Sequence, residues 1–456
     1  MKDRFVIMGL DCAAPDLVFS KLAGRIPNIS AMAAKGARGP LESTDPPITI
    51  PAWMSMMTGL NPGRLGLYGF RHRKDFDYRD IWIASSASIR AKTIWDIVGD
   101  AGGQSCVVGV PPTYPPPKIS GHLVSCFITP NTDRQYTYPP GLKREIEDLI
   151  GNYITDVKFR VEDRSKLLKA IYDMTDRRFT ILEYLLQEKP WDLFAFVEIG
   201  LDRIHHAFWK YFDPDHHLYE SGSRFESAIP DYYAHLDGWI GRLMESIPGE
   251  VPIMVVSDHG AQPMKGAFCI NQWLADQGYL AMKTPEVPEV LSRVDVDWTR
   301  TRAWGWGGYY ARIFLNVEGR EKSGIVSPAD FEKERDELAR RISSISGPLG
   351  EKWDTRVIIP EDIYDPLEGD PPDLMVYLDD LSWRSAGTVG HGSTYLSEND
   401  TGPDDAVHAK DGMYILNAPG IRPGYRRASI LDVAPTALRY MGLPVPSVMR
   451  GRAIGK

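Results

Sequence analysis

Short, uninterrupted apolar runs recur along the chain, and each ends abruptly in polar residues. They are F-V-I-M-G-L-D (Phe5 to Asp11), C-V-V-G-V-P (Cys106 to Pro111), L-F-A-F-V-E-I-G-L-D (Leu193 to Asp202), I-M-V-V-S-D-H-G (Ile253 to Gly260), L-M-V-Y-L-D-D (Leu374 to Asp380) and G-M-Y-I-L-N (Gly412 to Asn417). Continuous runs of this length suit strands buried on both faces. Helical patterns lie between them, from Ala91 to Gly99 and from Ser165 to Leu186. Strand–helix alternation predicts an α/β fold of three layers, with helices on both faces of a mostly parallel central sheet.

Two stretches break the alternation. Pro111 to Pro140 is rich in Pro and Thr and leads into a helical segment that reaches about Lys189. Lys283 to Pro371 mixes short strand patterns with a charged helix from Pro328 to Ser344. The expected organisation is therefore one core domain from residues 1–115, 190–282 and 372–456. A mainly helical cap insertion over 116–189 and an α+β lobe over 283–371 complete it. An amphipathic helix from Ser429 to Gly442 follows the last strand.

Composition changes this picture little. Of 456 residues, 43% are hydrophobic and 25% charged, an ordinary globular balance. A net charge of −9 argues against nucleic acid or an anionic membrane as the main partner. It does not exclude a small anionic substrate, because a bound metal overrides the overall charge locally. The four cysteines, Cys12, Cys106, Cys126 and Cys269, have no C-x-x-C or zinc-knuckle spacing and read as reduced, buried thiols. The first apolar run is too short for a signal-peptide core or a membrane span, so a cytoplasmic location is expected.

Chemistry gathers where the apolar runs stop, and in parallel sheets function collects at the carboxyl ends of strands. Asp11 follows the first run. Asp202 and His206 are four apart in D-R-I-H-H, which on a helix places both on one face. Asp258 and His259 sit together in S-D-H-G, and His408 precedes the last run. Three Asp and three His suffice for two divalent ions with open positions. Mixed carboxylate and imidazole ligation suits Zn²⁺, Mn²⁺ or Fe better than Ca²⁺ or Mg²⁺. Thr49, in P-P-I-T-I-P-A-W-M-S-M-M-T-G, precedes a predicted helix that starts near Pro51 and stops at Gly59. A helix N-terminus favours an anion, and a metal ion converts a Thr hydroxyl into a usable nucleophile.

These pieces resemble the alkaline phosphatase superfamily and, within it, the type I phosphodiesterase/nucleotide pyrophosphatase branch. The matching motifs are G-L-D at Asp11, T-x-P-x-W-x-S-x-x-T-G from Thr49, D-x-x-x-H at Asp202, S-D-H-G at Asp258 and the late His408 before a strand. The C-terminal I-L-D-V-A-P-T-A-L-R-Y-M-G-L-P-V-P, from Ile430 to Pro446, also resembles that family. The resemblance implies an alkaline-phosphatase-like core. It implies one metal on Asp11, Thr49, Asp258 and His259, and a second on Asp202, His206 and His408. It further implies a phosphothreonine intermediate on Thr49 and hydrolysis of phosphodiesters or nucleotide pyrophosphate bonds, with two ions, Zn²⁺ first and Mn²⁺ second. Two departures stand out. The Asn that nucleotide pyrophosphatases carry three residues after the nucleophile is Ala52 here, and the Arg that follows the nucleophile in alkaline phosphatases is Ile50.

Some other group must then bind the non-bridging oxygens. Arg71, His72, Arg73, Lys265 and His391 are the candidates, with His391, Lys265 and Arg71 foremost. His391 also competes with His408 for the last metal position, and His408 is preferred because an apolar strand follows it. His216 and His217, in D-P-D-H-H-L, read as a solvated turn. The acidic run Glu398 to Asp405 reads as a solvated loop leading to the site. Trp304, Trp306, Tyr309 and Tyr310 are expected to line a pocket for an organic group. Two other readings stay open: a phosphomonoesterase or phosphosugar mutase of the same superfamily, and a catalytically silent metal-binding protein.

Overall fold

The computed structural model of the chain describes residues 3–455. Its centre is a ten-stranded sheet. Five strands at its middle run parallel, in the order Ile253–Val256, Phe5–Leu10, Leu193–Glu198, Ser105–Val108 and Gly121–Val124. Asp411–Asn417 pairs antiparallel beside Ile253–Val256, and Ala37–Glu42 pairs antiparallel outside that.

The period-two geometry of a strand sorts its side chains between two apolar layers. Val6, Met8 and Leu10 face one layer, packed by the helices Pro27–Lys35, Arg164–Glu188, Gly200–Phe212 and Ala228–Glu245. Phe5 and Ile7 face the other, packed by Thr49–Thr58, Ile94–Asp100 and Val433–Tyr440. This is the expected three-layer α/β/α arrangement with a mostly parallel sheet.

The segment 116–189 does not sit as a cap over this sandwich. Gly121–Val124 joins the main sheet in parallel with Ser105–Val108, Thr137–Tyr138 follows it at the edge, and Arg164–Glu188 lies on the sheet face. Gly121–Val124 was hidden because G-H-L-V carries too few apolar residues to read as a strand; its pairing is supplied by its neighbours. Phe127 and the connection around Phe159 and Arg160 reach the mouth of the site.

The second body is built on a four-stranded antiparallel sheet of Ala303–Trp306, Ala311–Leu315, Leu374–Tyr377 and Arg356–Ile358. Helix Phe331–Ser343 contributes Leu338 and Ile342 to the same apolar cluster. Phe268, Ile270 and Leu274 enter that cluster from one side of the chain, and Val376 and Trp383 from the other. The lobe therefore extends past 283–371 at both ends. The strand at Leu374, grouped with the core by its place in the sequence, belongs to the lobe sheet, because both of its partners lie there.

Candidate active site

Three neighbouring parallel strands deliver three carboxylates to one point. Asp11 directly follows Phe5–Leu10, Asp258 lies two residues past Ile253–Val256, and Asp202 opens the helix after Leu193–Glu198. All three are buried. His206 stands one turn beyond Asp202 on the same helix. His408 arrives on the strand Ala406–Ala409, which pairs antiparallel with Gly260–Pro263 in the register Ala261↔His408. That ribbon stacks the His408 and His259 rings at 3.7 Å.

The ligand atoms fall into two groups. Asp11, Asp258 and His259 offer atoms all within 4.8 Å of one another, and so do Asp202, His206 and His408. Thr49 stands between them at the first position of a wholly buried helix, its Oγ1 3.4 Å from His259 Nε2. Ile48 ahead of it is extended, and Gly59 ends the helix in the left-handed region at φ 67°.

Each carboxylate is half fixed and half free. Asp11 Oδ2 accepts from Trp53 Nε1 at 2.7 Å, Asp202 Oδ2 accepts from Arg203 Nη1 at 2.5 Å, and Asp258 Oδ1 accepts from the Cys12 amide at 3.2 Å. The other oxygens, Asp11 Oδ1, Asp202 Oδ1 and Asp258 Oδ2, are buried with no hydrogen-bond partner. Unpaired buried carboxylate oxygens are costly unless a cation completes them. The imidazoles repeat the pattern. His206 Nδ1 donates to Asp404 Oδ1 at 2.7 Å, His408 Nδ1 to the Pro47 carbonyl at 2.9 Å, and His259 Nδ1 to the Gly260 carbonyl at 3.2 Å. Their Nε2 atoms are thereby left as acceptors facing the site, the tautomer a metal needs. The residues fit two divalent ions.

The electrostatics agree. Burial, then the nearby Asp202, raises the Asp11 carboxyl well above its ordinary range, and burial, then Asp11, does the same to Asp258. Burial also pushes His259 down to about 4. The second group differs: burial opposes it, but Tyr309, Asp404 and Asp202 outweigh that and raise the His206 imidazole well above its ordinary range, while His206 and Arg203 hold Asp202 well below its own.

The outer layer holds what the sequence did not reveal. Gly9 carries no side chain because a Cβ there would lie 2.5 Å from Trp53 Cη2; the space lets the indole reach Asp11. Arg203 grips Asp156 through two bonds of 2.8 Å while it holds Asp202. Asp404, expected in a solvated loop, is 3% exposed. Burial favours its neutral form, but His206, Arg384 and Arg160 outweigh that and hold the carboxyl well below the usual range. Tyr309 caps the second group, donating to His206 Nε2 at 3.2 Å, accepting from Arg160 Nη2 at 3.1 Å and stacking on His408 at 3.9 Å. No spacing pattern marks these residues, since their partners stand as far as 244 positions away.

The other expected site residues are scattered. Lys265 pairs with Asp379 at 2.8 Å and is 57% exposed, outside the cavity lining. His391 Nε2 bonds Thr388 Oγ1 at 2.7 Å and also lies outside it. His72 is buried, stacks on Trp82 and accepts from the Tyr68 amide. Arg73 is buried in an ion pair with Glu321. His216, expected in a solvated turn, is buried and donates to the Asp405 carbonyl. Arg71 does line the cavity, as do Trp304, Trp306, Tyr309 and Tyr310. That cavity measures about 640 Å³ and opens onto Thr49, Asp202 and His408.

The site is thus two groups of ligand residues at the strand ends of a mostly parallel sheet. The chain belongs to the type I phosphodiesterase/nucleotide pyrophosphatase family, whose profile matches residues 5–404. It is a phosphodiesterase/pyrophosphatase-like hydrolase, and members of the family use divalent metals. A comparison with curated proteins finds no match. Among solved structures, phosphonoacetate hydrolase from Sinorhizobium meliloti 1021 with bound phosphonoformate is similar at a TM-score of 0.64 and 16% identity, over 96% of both chains. Human ectonucleotide pyrophosphatase/phosphodiesterase 5 is similar at 0.58 and 13% identity, over 97% of this chain and 96% of its own. An inactive variant of the murine form, in complex with AMP, is similar at 0.57 and 14% identity, over 98% of this chain and 96% of its own. Among the described residues no helix is long and apolar enough to cross a membrane.

Proposed function

We propose that this chain hydrolyses phosphodiester or pyrophosphate bonds by way of a phosphoryl group carried on Thr49. The observation that carries the reading is the convergence of three unpartnered carboxylate oxygens and three imidazole Nε2 atoms around one threonine hydroxyl. Asp11, Asp258 and His259, with Thr49, would hold one ion, and Asp202, His206 and His408 the other; the mixed donor set favours Zn²⁺. When bound, such ions lower the pKa of a coordinated hydroxyl or water and neutralise charge that builds on phosphoryl oxygens.

The chain's own groups supply position. Helix Thr49–Thr58 presents the backbone N–H groups of Thr49 and Ile50 toward an anion beside Thr49; Pro51 has no N–H, and that of Ala52 donates to the Ile48 carbonyl. Ala52 is fully buried and reaches nothing there, so these N–H groups take the role of the missing Asn. Thr49 Oγ1 attacks phosphorus in line. The Oγ1–P bond forms as the P–O bond to the leaving alcohol breaks, and the alcohol departs with a proton. Water then attacks the phosphothreonine from the vacated side and restores the Thr49 hydroxyl. A diester thus yields an alcohol and a phosphate monoester. Four buried, unpaired cysteines support a cytoplasmic setting for this activity.

The test compares kcat/KM for bis-p-nitrophenyl phosphate and p-nitrophenyl phosphate, with Zn²⁺ and then Mn²⁺ added and Thr49→Ala as the blank. A diester preference with a silent Thr49→Ala supports the reading. A monoester preference moves the phosphatase or mutase reading to first place. Near-normal turnover by Thr49→Ala removes Thr49 from the chemistry.

A further inference from the structure

Six arginines line the cavity, and three of them are committed to carboxylates. Arg160 and Arg384 are committed to Asp404, and Arg203 to Asp156 and Asp202. The cavity's acids are committed too. Asp202 is held by Arg203, and Asp400 accepts from the amides of Gly387 and Thr388 and from the Thr388 hydroxyl. Arg312 is different. It lies on the lobe strand Ala311–Leu315, and its guanidinium sits 4.9 Å from the Trp306 ring and 5.9 Å from the Tyr310 ring. Among the described residues its side chain makes one hydrogen bond, from Nη1 to the carbonyl of Arg71 at 2.6 Å. Among the described residues no carboxylate pairs with it, and the charge nearest to it is the Arg71 guanidinium, also unpaired.

This is an unusual thing to keep. Burial lowers the Arg312 pKa, and the like charge on Arg71 lowers it further. His72 beside it stays neutral, pushed down to about 3 by burial and by Arg312 itself. A half-buried cation with no counterion, set beside the like charge of the exposed Arg71, destabilises the wall that carries it. The guanidinium is nevertheless held rigid by an aromatic face and a backbone bond, the preorganisation of a planar fork that pairs with a carboxylate or phosphate.

We propose that Arg312, with Arg71 beside it, forms an anion subsite that takes a second acidic group of the substrate, on the ester arm lying against the lobe. The group is a carboxylate or a phosphate; both offer two oxygens to the fork. The apolar walls between this subsite and Thr49, among them Phe70, Tyr310 and Trp306, fit an organic spacer. The proposal rests on the hydrolase reading of the same cavity. It assigns specificity to the lobe and leaves the reactive centre to the core.

The test uses the metal-loaded enzyme and three p-nitrophenyl phosphodiesters whose second arm ends in a carboxylate, in the methyl ester of that carboxylate, or in a phosphate. The wild-type enzyme is expected to favour a charged arm over the methyl ester by about tenfold or more in kcat/KM, the size of one charge-assisted pair. Arg312→Gln is expected to remove that preference, mainly through KM, and to leave the methyl ester within about twofold. Arg71→Gln, at an exposed side chain that folding does not depend on, is expected to erode the same preference by a smaller factor. The ratio between the carboxylate and phosphate arms tells which acid the subsite serves. Equal use of all three substrates by the wild type, or an equal loss on all three in Arg312→Gln, overturns the subsite while the hydrolase reading stands. No turnover of any of them overturns both.

Discussion

The two walls of the cavity are built on opposite plans. The core wall takes its functional groups from the ends of three adjacent parallel strands, so a few residues of chain fix each one. The lobe wall takes Trp304, Trp306, Tyr309, Tyr310 and Arg312 from one antiparallel hairpin and its turn. On the core side each of the three carboxylates has one oxygen bonded and the other left without a partner, facing the place of an ion. On the lobe side aromatic faces and the Arg312 guanidinium, which no carboxylate pairs among the described residues, line the cavity. On the proposed function the difference separates reactivity from selection: the strand ends would hold the groups that act on phosphorus, and the hairpin those that meet the rest of the substrate.

The comparison breaks most readily at the ligands themselves. His206→Ala and Asp258→Ala each remove a member of a different group, so each is expected to lose about one bound ion per chain, read by elemental analysis of dialysed protein. Loss of both ions from either variant would mean that the two groups do not act separately. Ion binding at neutral pH should also release protons, because burial and mutual repulsion raise the Asp11 and Asp258 carboxyls. The metal-free protein holds protons there that the ion displaces, so affinity should climb with pH until those carboxyls are ionised. Calorimetry in buffers of different ionisation enthalpy reads the protons directly.

The next effect is smaller and lies one layer out. Asp404→Asn keeps the shape but removes the charge that orients His206, and a change of that kind costs about 10- to 100-fold in metal affinity. Trp53→Phe removes the indole bond to Asp11 and leaves the packing near Gly9; it belongs at the lower end, about tenfold. If Asp404→Asn bound both ions as tightly as the wild type, the buried carboxylate would be serving only Arg160 and Arg384. At the bottom of the scale, Lys265→Ala and His391→Ala are expected to change kcat/KM by less than about twofold, since one is a surface ion pair and the other bonds its own loop.

How far the sequence reached follows the same division. The strand runs and the residues that end them were readable because a parallel sheet puts function where an apolar run stops. Thr49 was readable because a proline and a glycine bracket its helix. Asp404 was not: E-N-D-T-G-P-D-D has the composition of a solvated loop, and only the arrival of His206, Arg160 and Arg384 from far along the chain buries it. Arg312 gave no signal either, because an arginine in a strand is ordinary until its neighbours are known. The strand Gly121–Val124 was missed for a related reason, since its partner and not its own pattern makes it a strand. Lys265 and His391 were chosen for residue type alone, and type without a neighbour in space is weak information.

The central claim is that phosphorus passes through Thr49. The stereochemistry of hydrolysis tests it most directly, using a diester phosphorothioate of one hand and isotopically labelled water with the metal-loaded enzyme. Two in-line displacements, first by Thr49 and then by water, predict net retention of configuration at phosphorus. Net inversion would mean that water attacks the diester in a single step, and would contradict the phosphothreonine route.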